Sequence, residues 1–67
     1  MLKSQARKML SDLIVTRSAE QEQAFTREEA EWLIDSSMNG QLDDEAKADI
    51  IGAAAVPVWN RMIQLIV

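Results

Sequence analysis

The chain has 67 residues, with 7 Lys and Arg against 11 Asp and Glu, and contains neither Cys nor His. That length allows one domain, the composition excludes disulfides, and a zinc site is nearly excluded because such sites are built mainly from Cys and His. The formal net charge of −4 is uneven: Lys3, Arg7, Lys8 and Arg17 face only Asp12 in the first 17 residues, while ten acids crowd residues 18–49, a segment that repels nucleic-acid phosphate.

From Leu2 to about Ala24, apolar residues recur at Leu2, Ala6, Met9 and Leu13, with Leu10 and Ile14 beside them. This four-then-three spacing predicts a helix with one apolar seam, and no Gly or Pro interrupts it. The seam fades after Val15. Thr16-Arg17-Ser18 either ends the helix or only weakens it, and Ser18 to Gln21 can recap a new turn, which leaves Glu20 to Gln23 as helical extension or as loop. Charges are mixed with apolar residues throughout this stretch, so it lacks a signal-peptide core and the expected location is cytoplasmic. The basic first helix is expected to meet the acidic middle segment, of its own chain or of a second copy.

Phe25-Thr26-Arg27-Glu28-Glu29-Ala30 carries the clearest local signal. Thr26 can accept from the amide three residues on, while Glu29 reaches back to the Thr26 amide, and acids in the first turn suit the helix dipole. The predicted helix stops near Asn39-Gly40, where Gly40 supplies a left-handed residue. Its core stripe is Ala30, Leu33, Ile34 and Met38. Trp32 falls on the other side, among Glu28, Glu31, Asp35 and Ser36, and is read either as an interface residue or as one covered by the segment Ala19 to Phe25.

Asp43 or Asp44 caps the next helix, whose apolar face is Ala46, Ile50, Ile51, Ala53 and Ala54. The last stretch, Ile50 to Val67, has thirteen apolar residues of eighteen. Pro57 lacks a backbone donor and clashes with the preceding turn, so it predicts a kink or the start of a new helix at Val56-Pro57, and Gly52 adds local freedom. Beyond it, Val56, Val58, Trp59, Met62, Ile63, Leu65, Ile66 and Val67 cover an arc of roughly 200°, about twice what one-sided packing needs. Asn60, Arg61 and Gln64 argue against a membrane span. The wide arc therefore asks for two burial surfaces, its own core and a second chain, with Val58, Trp59, Met62, Ile63, Leu65 and Ile66 as the self-association residues.

Several constellations invite chemistry. Asp35, Ser37, Asn39, Gly40, Leu42 and Asp43 resemble the first nine positions of an EF-hand calcium loop, but the twelfth position, which needs a bidentate carboxylate, is Ala46. A helix-turn-helix reading for DNA meets a second helix that opens Asp43-Asp44-Glu45, the wrong charge for a groove walled by phosphate. Without His, Cys or Tyr, and with no Gly-rich phosphate loop, no catalytic, cofactor or metal residues are assigned and no enzyme is expected. Residues Phe25 to Gly40, FTREEAEWLIDSSMNG, resemble the short helical N-terminal segment of the anthranilate phosphoribosyltransferase family. The resemblance covers about a quarter of the chain and implies a helical segment only, because a catalytic domain does not fit in 67 residues.

The sequence thus predicts an all-α bundle of three to four helices, completed by homodimerisation, since a core this small seldom supplies more than about 3 to 5 kcal/mol. The expected function is a soluble protein-binding regulator, an adaptor, inhibitor or anti-activator of bacterial or phage type, that occludes a partner protein through Trp32, Glu28, Glu31 and Asp35 and needs no cofactor. Two alternatives are a dimeric nucleic-acid-binding regulator using Lys3, Arg7 and Lys8, and a structural subunit of a larger assembly.

Overall fold

Four helices form the protein in the computed structural model, which describes residues 2–67: α1 Lys3–Glu20, α2 Arg27–Met38, α3 Asp44–Ile51 and α4 Val56–Ile66. A single 3₁₀ turn, Ala53–Ala55, joins the last two. Among the described residues there is no strand, and no helix is long and apolar enough to cross a membrane.

α1 lies at the centre and packs on all three other helices, most extensively on α4. Its buried residues are Ala6, Leu10 and Ile14, with Ser11 and Ser18. The expected seam of Leu2, Ala6, Met9 and Leu13 is therefore rotated: Met9 is 50% exposed, Leu2 is exposed and Leu13 is half-buried. The cause lies in the polar residues of the inward face. Arg7 and Ser11 turn toward α2, and that fixes the ladder Ala6, Leu10, Ile14 as the core stripe. Leu10, Ile14, Ile34 and Ile51 are fully buried, each contributing about 1.5 to 3 kcal/mol by leaving water.

Ser18 lies inside α1 rather than recapping it. Its hydroxyl donates to the Val15 carbonyl at 3.2 Å and accepts from the Phe25 amide at 3.0 Å, so one small side chain closes the loop between α1 and α2. The chain leaves α1 through Glu22, a non-glycine residue at φ +69°.

α2 begins and ends as its residues dictate. Thr26 Oγ1 accepts from the Glu29 amide at 3.1 Å and the Glu29 carboxylate accepts from the Thr26 amide at 2.9 Å, while Gly40 at φ +72° turns the chain away. Ala30 and Ile34 are fully buried, Leu33 is half-buried, and Met38 lies at the edge of the core. Asp43 caps α3, its Oδ1 accepting from the Ala46 amide at 2.8 Å.

The interruption after α3 falls at Gly52 (φ +89°), five residues before the proline. Pro57 sits in the first turn of α4, where a missing N–H breaks no helical bond and the fixed φ favours a start. The 3₁₀ turn between them shifts the face as well: Ala53 and Ala54, expected inside, are exposed, and Ala55 and Val56 are buried instead.

Candidate functional site

The outer face of α2 carries the most exposed aromatic side chain among the described residues. Trp32 stands two residues after Ala30 and two before Ile34, which at 100° per residue turns it away from both. It is 70% exposed, so the segment Ala19 to Phe25 does not cover it. The capping box at Thr26 and Glu29 fixes the helix that carries it.

The acids expected to rim Trp32 have different fates. Arg7 of α1 donates from Nε to Glu31 Oε2 and from Nη2 to Asp35 Oδ1, both at 2.6 Å, and its Nη1 lies 3.8 Å from Met38 Sδ. The hydrogen bond to Asp35 leads the causes that raise the guanidinium pKa above its ordinary value, against the desolvation that lowers it. Basic first helix and acidic middle segment thus meet within one chain. A second such link joins Arg27 of α2 to Asp12 and to the buried Ser11 hydroxyl of α1. Between these links runs an open groove lined by Ser4, Arg7, Lys8, Arg27 and Glu31. Glu28 is exposed and has no hydrogen-bond or ion-pair partner among the described residues. Around Trp32 the face is therefore acidic, with Glu28 open and Glu31 and Asp35 shared with Arg7.

The self-association residues divide too. Trp59 is fully buried in the core of its own chain, its Nε1 donating to Ser37 Oγ at 2.9 Å, and Ile66 is buried with it. Met62, Ile63 and Leu65 are half-buried against the same core. Val58 alone of the six is exposed, at 47%. Most of the wide arc is used within the chain because α4 is touched by α1, α2 and α3 together, while Val58 and Val67 stay exposed.

The remaining constellations are accounted for by contacts inside the fold. Asp35 and Ser37 belong to α2 and hold Arg7 and Trp59, and Asp43 is a cap, so the calcium-loop-like residues do not converge. Lys47, the basic residue of α3, is buried and donates to Asn60 Oδ1 at 2.7 Å, while Asn60 donates to Asp44 at 3.2 Å. That network fastens α4 to α3. Sequence reasoning missed the Lys47 to Asn60 bond and the double engagement of Arg7. The second was signalled: Arg7, Leu10 and Ile14 share one helical face, which makes Arg7 an inward-turned charge in need of partners.

Together these features define a small all-helical protein with a single large aromatic presented on an acidic helix face. Comparison with protein-family models, with curated proteins and with solved structures finds no match for this chain.

Proposed function

We propose that the chain is a protein-binding module, a regulator of the adaptor, inhibitor or anti-activator kind, that occludes a partner's surface with the outer face of α2. The observation that supports this reading is Trp32, 70% exposed on a well-capped helix whose fold does not need it. Trp brings about 150 to 250 Å² of contact area at little cost in rotamer freedom, and it is enriched where a few residues dominate binding energy. The rim selects the partner: Glu28, Glu29, Glu31 and Asp35 outnumber Arg27 on α2, so the complement is an apolar pocket bordered by Lys or Arg. The proposed action has no catalytic step and uses no cofactor.

The experiment is capture of binding proteins by the immobilised chain, side by side with Trp32→Ala and with a folding check on both. Loss of a captured partner in Trp32→Ala supports the reading; equal capture by both defeats it. The nucleic-acid alternative draws less support, because Arg7 is tied to two carboxylates and only Lys3 and Lys8 of its three residues remain open. Retardation of a duplex at low salt would revive it. A chain that aggregates when expressed alone would favour a structural subunit.

A further inference from the structure

Building on the reading of α2's outer face as a protein contact, we infer that a second copy of this chain also docks there, with Arg61 of one copy stacked on Trp32 of the other and paired with Glu28. Three of the four arginines are engaged inside the fold: Arg7 by Glu31 and Asp35, Arg27 by Asp12 and Ser11, and Arg17 by the Ile51 carbonyl at 3.2 Å and Glu20. Arg61 is the fourth. It is exposed on α4 and has no hydrogen-bond or ion-pair partner among the described residues.

Its helical neighbours are Pro57 and Val58 on one side, both exposed, and the exposed Gln64 and half-buried Leu65 on the other, so this face offers a guanidinium among mainly apolar side chains. The α2 face is its complement: an exposed indole with an unpaired carboxylate, Glu28, one turn before it. A guanidinium stacks flat on an indole while its edge donates to a carboxylate, which an ammonium cannot match. The other open cations fit less well. Lys8 has Ser4, Gln5, Ser11 and Asp12 as its helical neighbours, none of them apolar.

Each copy carries one α2 face and one α4 face, and the inferred arrangement is the two-fold one, in which each face meets the other kind on the second copy and the contact is made twice. The dimer is weak. A standard interface takes about 800 Å² per partner, which is about a fifth of this protein's 4303 Å² of accessible surface, and two helices of 11 and 12 residues cover less than that. Because the dimer hides Trp32, a foreign partner and a second copy compete for one face, and capture of the partner falls as the chain's own concentration rises.

The test is sedimentation equilibrium from about 10 μM to 1 mM, a range that brackets weak association. The expected result is a mass that climbs from monomer toward dimer, with Glu28→Arg and Arg61→Glu each weakening association about tenfold or more. The Glu28→Arg/Arg61→Glu double variant restores the ion pair though not the stacking on Trp32, and recovers part of the association. All three sites of change are exposed, and circular dichroism melts check that each variant folds. A mass that stays monomeric throughout, a dimer undiminished in Trp32→Ala, or a double variant as weak as either single one overturns the inference. The outcome is separable from partner binding: the double variant still repels a basic-rimmed partner through Arg at position 28. If capture depends on Trp32 while the mass stays monomeric, self-docking alone falls.

Discussion

The Trp59 indole N–H donates to the Ser37 hydroxyl at 2.9 Å inside the core, and that bond joins α4 to α2, the least extensively packed of the helix pairs in contact. Ser37→Ala leaves the buried donor without a partner and should cost about 1 to 3 kcal/mol in urea unfolding. Trp59→Ala should cost about 3 to 5 kcal/mol. A core of this size supplies about that much in total, so the Trp59→Ala chain should be largely unfolded by circular dichroism.

The two tryptophans give the opposite result when read by fluorescence. Trp59→Phe leaves Trp32 as the only indole, and its emission should be solvent-like and fully quenched by acrylamide. Trp32→Ala leaves the buried Trp59, blue-shifted and shielded, with stability changed by less than about 0.5 kcal/mol. A shielded Trp32 in dilute monomer would contradict the exposure on which the binding face rests.

Arg7 is held by two carboxylates one helical turn apart. Arg7→Met keeps the stem and removes the charge, and should cost about 1 kcal/mol, a modest figure because Glu31 and Asp35 remain partly in water. The loss should shrink when urea melts are repeated at about 1 M salt, where the Debye length is near 3 Å. An unchanged loss at high salt would assign the effect to packing of the stem instead.

Gly52 and Glu22 both sit at positive φ, and opposite substitutions should move stability in opposite directions. A Cβ on Gly52 meets the Gln21 side-chain nitrogen at 3.3 Å and stands at a backbone angle few other residues adopt, so Gly52→Ala should cost about 1 to 3 kcal/mol. Glu22→Gly relieves the left-handed strain and should gain up to about 1 kcal/mol. For a domain of this size each kcal/mol appears as about 4 to 8 °C in the melting midpoint.

Helix count, the Thr26 and Asp43 caps and the stop at Gly40 were legible because each depends on residues within one turn of another. Trp32's outward position was legible for the same reason: its angle from Ala30 and Ile34 is set by the helix alone. Which face of α1 is buried was not, because Ala6 belongs equally to the seam through Met9 and to the ladder through Leu10. The choice between them is made by Arg7, whose partners lie 24 and 28 residues away. The break before α4 was drawn to Pro57, the stronger local breaker. α4 does start at Val56-Pro57, but α3 already ends at Gly52, where the chain turns at φ +89° beside Arg17 and Gln21, a tertiary demand that suits glycine. The width of α4's apolar arc signalled extra burial correctly but could not say that three helices of the same chain supply it.

α1 and α4, the pair with the most extensive packing, are the first and last helices along the chain. A cut anywhere in the Gln21 to Phe25 loop puts the two sides of that seam in different fragments, so neither half holds a finished core. The seam that finishes the core therefore joins the two ends of the helix order, and its long loop closure costs entropy before the burial of Leu10, Ile14 and Trp59 repays it.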